Sequence, residues 1–191
     1  MTLTTNTEMK IEKGSSTAFI EDLRFSHQFD DFIAMFLSSY FHGDIEMVFD
    51  LTRQKTGIDF IIKKKPEVNL ENDVNVDLKT YRKDDGNLYL EVYTNRLTGK
   101  YGWLLTPENK TDLYVFYMPT THRIILASKD LLLEIVKIIE SMTPDKIKSF
   151  LGFNTNSLGS YYKVPISTFS YLSNRFLFVD IDLKQLYGGA D

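Results

Sequence analysis

The sequence predicts an α/β (α+β) domain in which a central mixed β-sheet is flanked by helices. Two observations lead to this fold class. The apolar residues recur with helical spacing in two segments, and between these segments their period changes to two. Helices that precede and follow a run of strands are typical of a layered sandwich. A length of 191 residues fits one domain, so we predict a flexible tail at 1–16 and a single domain at 17–191.

The first predicted helix covers residues 29–43, where apolar residues recur at helical spacing until Gly43. Its stripe of aromatic side chains is expected to pack into the core, with Phe32 and Phe36 buried. No ligand is needed to explain these rings.

The second predicted helix begins at Ser128, a candidate N-cap, and buries Ile135 and Ile139 on one apolar stripe. Thr143-Pro144 then supplies a cap and a first-turn proline for a further short helix. Gly152 is expected to end that short helix.

Between the helices, short segments rich in β-branched and aromatic residues alternate with turn residues. These predicted strands cover residues 58–62, 74–81, 88–93, 113–117 and 123–127, and we expect them to form one sheet. Peripheral strands are predicted at 161–164 and 176–182, around a short helix near Thr168.

Composition excludes several kinds of protein. Because the chain has no cysteine, it has no disulfide or thiolate chemistry, and any metal must bind to oxygen or imidazole. The start of the sequence lacks the apolar region of a secretory signal, and no run approaches the roughly 18 apolar residues of a membrane span. These observations predict a cytoplasmic protein with no membrane partner.

The net charge of −4 argues against a protein that coats nucleic acid non-specifically. It is compatible with an enzyme that has a local basic track beside its site. The basic residues of the first half of the chain that could form this track are Arg53, Lys55, Lys63, Lys64, Lys65, Lys79, Arg82, Lys83 and Lys100.

The residues that carry chemistry begin in segment 74–80. Strand alternation places Val74, Val76 and Leu78 on one face and Asp77 and Lys79 together on the other. A carboxylate and an ammonium group therefore point in the same direction.

A second acid, Asp59, follows Gly57 at the start of the preceding strand, where the glycine permits a tight turn. If the two strands are neighbours, Asp59 and Asp77 can share one divalent ion. Mg²⁺ accepts one or two carboxylates and polarises a phosphate, while an adjacent lysine orients water or offsets charge. Glu91, on the polar face of the next predicted strand, is a candidate for a further ligand or a partner of Lys79.

Asp59 followed by the triplet Asp77-Leu78-Lys79 resembles the PD-(D/E)XK nuclease superfamily. The longer string Gln54-x-x-Gly57-Ile58-Asp59, Asp77-x-Lys79, Leu90-Glu91 and Gly102-Trp103 is similar to compact phage and bacterial members. The resemblance covers about residues 45–120. It implies a restriction-endonuclease-like mixed sheet, with Asp59 and Asp77 as metal ligands and Lys79 as a catalytic residue.

The sequence departs from the family pattern in two ways. No proline precedes Asp59, and the accessory acid that many members carry on the first helix has no secure counterpart. Asp50 and Glu46 are the candidates for this accessory acid.

The resemblance implies a Mg²⁺- or Mn²⁺-dependent nuclease that hydrolyses phosphodiester bonds, with DNA as the expected substrate. We expect Lys79 and Glu91 in catalysis; the expected substrate-binding residues are Gln54, Lys55, Arg82 and Lys100. A homodimer in the cytoplasm of a bacterial or phage-infected cell is compatible with this class. Two alternatives stay open: an inactive nuclease fold that binds nucleic acid or protein, and an unrelated α+β domain whose acids are surface charges.

Overall fold

The computed structural model describes residue 21 and residues 24–64, 72–153 and 159–186. Its helices are α1 (Asp30–Phe41), α2 (Leu51–Gln54), α3 (Lys129–Glu140), α4 (Pro144–Phe150), α5 (Ile166–Phe169) and α6 (Leu183–Leu186), and a 3-10 turn covers Ser170–Leu172. Its strands are β1 (Ile45–Met47), β2 (Phe60–Ile62), β3 (Val74–Thr80), β4 (Asn87–Asn95), β5 (Lys100–Tyr101), β6 (Leu113–Met118), β7 (Arg123–Ser128), β8 (Leu151–Phe153), β9 (Ser160–Pro165) and β10 (Phe178–Asp182). The predicted tail at 1–16 lies outside the described residues.

The protein has the predicted mixed α+β fold, built on two sheets. The first sheet has six strands in the order β1-β2-β3-β6-β7-β10. Within it β3 and β6 run parallel, whereas the other neighbouring strands are antiparallel. The second sheet has four antiparallel strands in the order β5-β4-β9-β8.

The prediction of one sheet was wrong for residues 88–93, which belong to β4 of the second sheet. Because β3 and β6 are parallel, the chain must cross over between them, and it does so through β4 and β5. β4 then pairs with β9, with Asn87 opposite Pro165. Alternation of apolar residues along a strand shows which face is buried but not which strand it pairs with. The pairing of β4 with β9 was therefore not predictable from the alternation.

The two faces of the six-stranded sheet pack differently. Val76 and Leu78 lie on the face that packs against Ile33 and Leu37 of α1. On the opposite face, Tyr114 belongs to a core that includes residues of the second sheet and of α3. Asp77 is the register partner of Tyr114, so it shares the face between the two sheets.

The predicted helices are present, with one change in the buried stripe of α1. Ile33 and Leu37 are fully buried, whereas Phe32 and Phe36 are only half-buried. The aromatic rings therefore flank the stripe instead of forming it.

Later in the chain, Ser128 caps α3 by accepting a hydrogen bond from the Leu131 N–H, and Ile135 and Ile139 are buried as predicted. Gly152 does not end α4 as predicted, because it lies in β8. There a Cβ would come 2.2 Å from the Tyr161 ring, so the absence of a side chain at Gly152 makes room for that ring. None of the helices that the structure describes is long and apolar enough to span a bilayer.

Candidate active site

Asp59 lies next to Asp77 because of the register of two strands. β2 and β3 are antiparallel with Phe60 opposite Val76, which puts the preceding residue, Asp59, beside Asp77. The Asp59 N–H donates to the Val76 carbonyl at 2.9 Å, and its Oδ2 accepts from the Leu78 N–H at 2.8 Å. The Asp59 carboxylate is therefore held against the backbone of β3.

Lys79 completes the group. Its Nζ lies 2.8 Å from Oδ1 of Asp77 and 5.0 Å from the ring centroid of Trp103. Asp77 is only 3% exposed, whereas Lys79 is half-buried. The structure thus brings Asp59, Asp77 and Lys79 together, and Lys79 is more accessible than Asp77.

Gly57 is required by the geometry beside Asp77. Its φ of +76° lies in the left-handed region, which favours glycine. A Cβ there would come 2.7 Å from Oγ1 of Thr111 and 3.4 Å from Oδ2 of Asp77. The glycine before Asp59 therefore allows the turn to press closely against the acids.

A network of buried polar groups supports this turn from behind. The Thr111 hydroxyl donates to the Gly57 carbonyl at 2.6 Å, and the Thr111 N–H donates to Oδ1 of Asn109 at 2.8 Å. The Asn109 amide group donates to the Tyr114 hydroxyl, and Lys129 Nζ donates to the Asn109 carbonyl at 2.7 Å. These positioning residues were not predictable from the sequence, because a polar loop residue carries no local signal of burial.

Burial controls the electrostatics of the two acids. Burial raises the pKa of Asp77 to about 7. The positive charge of Lys79 opposes this rise, whereas the negative charge of Asp59 adds to it. Burial also raises the pKa of Asp59, and the hydrogen bond from Leu78 and the charge of Lys79 oppose this rise. A further cation between the carboxylates would favour their charged forms.

Glu91 approaches from the second sheet. Burial raises its pKa, whereas a hydrogen bond from the Trp103 N–H and the positive charge of Lys79 lower it. A Cβ on Gly102 would come 2.4 Å from the Glu91 carbonyl oxygen, so these two segments are in close contact. Glu91 therefore contributes negative charge near Lys79.

Two further residues, His27 and Asp30, are electrostatically coupled to Asp59, and neither was predicted from the sequence to belong to the site. His27 Nδ1 lies 2.6 Å from Oδ2 of Asp30, and this contact raises the pKa of His27, as does the more distant charge of Asp59. The charge of Asp30 in turn raises the pKa of Asp59. Acids in the first turn are typical of any helix, so Asp30 could not be singled out from the sequence.

The two candidates for an accessory acid have other contacts. Oδ1 of Asp50 accepts from the Thr52 N–H at 2.8 Å, at the start of α2. Glu46 pairs with Lys63 at 2.7 Å and with Arg53 at 3.0 Å. Neither acid has a described contact with Asp59 or Asp77, so Asp30 is the acid of the first helix that is electrostatically coupled to this group.

The four predicted substrate-binding residues lie in different segments of the chain, and each has its own surroundings. Gln54 donates to the Val48 carbonyl at 2.9 Å, which gives it a role within the fold. Lys55 and Lys100 are exposed, the latter in the edge strand β5. Arg82 follows Lys79 by three residues in the chain. Its guanidinium group lies 4.2 Å from the ring centroid of Phe25.

Asp59 and Asp77 fit a magnesium or manganese ion in ligand type and number. Across the ranges that the structure describes, no group of three or more His, Cys, Asp or Glu residues is arranged to hold a metal. Mg²⁺ does not require such a group, because it commonly binds through one or two carboxylates and keeps several waters. Two adjacent carboxylates with raised pKa values, that of Asp77 buried and that of Asp59 partly buried, are a donor set of this kind.

Comparison of the chain with protein-family models, curated proteins and solved structures found no match. The class of site is therefore inferred from the arrangement of Asp59, Asp77 and Lys79 on adjoining strands.

Proposed function

We propose that the protein is a Mg²⁺- or Mn²⁺-dependent nuclease that hydrolyses phosphodiester bonds of DNA. The observation that supports this proposal is the convergence of Asp59, Asp77 and Lys79 where β2 begins beside β3. Carboxylates whose pKa values are raised by burial, beside a lysine, are a combination that is common at catalytic sites.

Asp59 and Asp77 would hold the metal ion, which supplies polarisation of the phosphate and activation of a water molecule. Lys79 would orient the attacking water and offset the negative charge that develops on the phosphate. Glu91 and Trp103 would keep the Lys79 side chain in place, through opposite charge and through contact with the aromatic ring.

A second candidate function is favoured by the burial of Asp77. Asp77 is 3% exposed and its carboxylate is already paired with Lys79, as in an ion pair that only stabilises a fold. An inactive nuclease fold that binds nucleic acid or a protein partner would have these features.

The test is incubation with linear, circular and branched DNA, and with RNA, in Mg²⁺, Mn²⁺ or EDTA. We expect cleavage of DNA that needs the metal and is lost in Asp77→Asn, which removes a charged ligand with almost no change in volume. Asp73→Asn is the matched control, because Asp73 is an exposed acid paired with a lysine. Cleavage by Asp77→Asn at the wild-type rate in Mg²⁺ contradicts the proposal.

Calorimetric titration with Mg²⁺ and Mn²⁺ separates the two candidates. The nuclease binds the metal through Asp77, so Asp77→Asn should lose the binding heat that Asp73→Asn retains. Absence of metal binding to the wild-type protein, combined with DNA binding in EDTA, would favour the inactive fold.

We further propose a cytoplasmic location, where DNA of the cell or of an infecting phage is accessible. A homodimer is the assembly expected of an enzyme that cuts both strands. Light scattering coupled to size-exclusion chromatography tests this assembly directly.

A further inference from the structure

A groove begins where β3 leaves the candidate site. Thr80 and Tyr81, the two residues after Lys79, form part of it. Its volume is about 520 Å³, within the usual range for ligand pockets. The groove is lined by Phe25, Thr80, Tyr81, Arg82, Lys83, Asp85 and Tyr89.

The groove offers positive charge at its surface. Arg82 and Lys83 are both exposed, and the Arg82 guanidinium lies over the Phe25 ring. The acid of the lining, Asp85, is 2.8 Å from Lys163 and accepts from the Tyr89 hydroxyl at 2.5 Å. Its charge is therefore offset locally, and Arg82 and Lys83 give the lining the character of a phosphate-binding surface.

The groove also offers aromatic surface held in fixed positions. The Tyr81 hydroxyl accepts from the Tyr89 N–H at 3.0 Å and donates to the Tyr89 carbonyl at 3.4 Å. The two rings meet edge to face, with centroids 5.7 Å apart. These contacts tie the end of β3 to β4, so the aromatic lining is rigid. Phe25, in the helical turn before α1, adds a third ring.

We infer that this groove binds an unpaired nucleotide of single-stranded DNA, with the base against the aromatic rings and the phosphates beside Arg82 and Lys83. Exposed bases stack on aromatic side chains, whereas the bases of a duplex are already stacked on one another. This inference rests on the proposed nuclease function, because Thr80 and Tyr81 of the groove lining directly follow Lys79 in the chain. It specifies that the substrate has a single-stranded region or a frayed end.

The test is binding in EDTA, so that the result does not depend on cleavage. Fluorescence anisotropy measures the affinity for a labelled single-stranded DNA oligonucleotide and for a blunt hairpin duplex. An RNA oligonucleotide of the same sequence shows whether binding depends on the sugar being deoxyribose or ribose. Phe25→Leu keeps an apolar side chain but removes the ring, and Phe25→Tyr keeps the ring. We expect Phe25→Leu to weaken single-strand binding roughly 5- to 150-fold and Phe25→Tyr to bind within about twofold of wild type.

Lys83→Gln gives an independent measurement, because this exposed side chain can change without disturbing the core. We expect the slope of log Kd against log salt concentration to fall by about 0.7 for the single strand, since one phosphate contact is lost. Lys146→Gln, an exposed lysine of α4 that does not line the groove, should leave the slope unchanged. If circular dichroism shows that Phe25→Leu is not folded at the temperature of the binding assay, the salt dependence of Lys83→Gln alone tests the inference.

Three outcomes overturn the inference. Phe25→Leu could lose as much affinity for the duplex as for the single strand, or Phe25→Leu and Phe25→Tyr could bind the single strand with equal affinity. The third outcome is a Lys83→Gln variant whose slope of log Kd against log salt concentration equals that of the wild type. The proposed function fails separately. In that case the wild-type protein binds the single strand in EDTA but cuts no DNA in Mg²⁺ or Mn²⁺.

Discussion

Two clusters of acids and a lysine lie on the same sheet and differ in their surroundings. In the buried cluster, Lys79 Nζ is 2.8 Å from Asp77. In the surface cluster, Lys63 Nζ is 2.7 Å from Glu46 and 3.3 Å from Asp73. The distances are similar, yet the pKa of Asp77 is raised to about 7 by burial. The pKa of Glu46 is lowered by its hydrogen bond with Lys63.

This difference shows that the distance between an acid and a lysine does not determine what the pair can do. Exposed charges remain solvated by water, so their mutual attraction contributes little to the free energy of unfolding. In the buried cluster, removal of water opposes the charge of Asp77 and makes it depend on Lys79 or on another cation. We therefore expect changes in the buried cluster to have large effects and the same changes in the surface cluster to have small ones.

The largest expected effect comes from Lys79→Met compared with Lys63→Met. Because lysine is not a metal ligand, Lys79→Met should retain metal binding in calorimetry but lower the cleavage rate by about 10²- to 10⁴-fold, the usual contribution of a positioned proton-transfer or charge-stabilising group. Lys63→Met should cleave at the wild-type rate. Equal rates for the two variants would remove Lys79 from the mechanism.

The next effect is on stability as a function of pH, measured by denaturant unfolding in EDTA. The pKa of Asp77 rises from 3.8, its ordinary value, to about 7 in the folded protein. The folded state therefore binds more protons between these values, and the free energy of unfolding should fall as pH rises from about 4 to 7. Each unit of pKa difference corresponds to about 1.4 kcal/mol.

Asp77→Asn should make this fall in stability smaller, because the residue at position 77 no longer titrates. Asp59, whose pKa is raised in the same direction, would retain part of the fall. The surface variant Asp73→Asn should keep the wild-type dependence on pH in this range. An identical curve for Asp77→Asn and wild type would show that Asp77 is not the titrating group.

A smaller effect, on thermal stability and metal binding, is expected from Gly57→Ala, and Gly86→Ala is its control. Both glycines have a left-handed φ, +76° and +75°, so alanine introduces similar backbone strain of about 1–3 kcal/mol at each position. Only at Gly57 would the new Cβ meet close neighbours, at 2.7 Å from Thr111 Oγ1. Thermal unfolding should therefore show a larger loss for Gly57→Ala, accompanied by weaker metal binding. Equal losses of stability in Gly57→Ala and Gly86→Ala would show that the contacts of Gly57 with Thr111 and Asp77 do not constrain the turn.

The smallest effect is expected from Asp73→Asn itself. Oδ1 of Asp73 accepts from the Lys64 N–H at 2.8 Å, and the asparagine oxygen can accept the same bond. The melting temperature should be unchanged within experimental error. A large decrease would mean that the surface cluster stabilises the fold as strongly as the buried one.

The sequence predicted the parts of the site that depend on local periodicity. A period of two is sufficient to put Asp77 and Lys79 on one face of β3, and Gly57 marked the turn before Asp59. The helix cap at Ser128 was confirmed for the same reason, since a cap is a local pattern. Fold class was likewise predictable, because the order of the elements is visible in the chain.

Residues that depend on contacts between distant segments were not predicted. Asp30 is near Asp59 only because α1 packs on the sheet with its first turn at that end, and an acid at a helix start has an ordinary explanation. Asn109 looks like a loop residue until its amide group is seen to contact Tyr114. The membership of β4 in a second sheet follows from its pairing with β9, which lies far along the chain.

The pairing of β4 with β9 has a consequence for the order in which the protein becomes functional during synthesis. Asp59 and Asp77 lie on antiparallel neighbours of the first half of the chain, whereas the strand that carries Glu91 finds its partner only at residues 160–165. Pairings between distant segments form slowly, and the N-terminal part of a chain leaves the ribosome first. Asp59 and Asp77 can therefore meet early, whereas the strand that carries Glu91 pairs only when most of the chain has been made. For the proposed nuclease, this order would delay cleavage until folding is nearly complete.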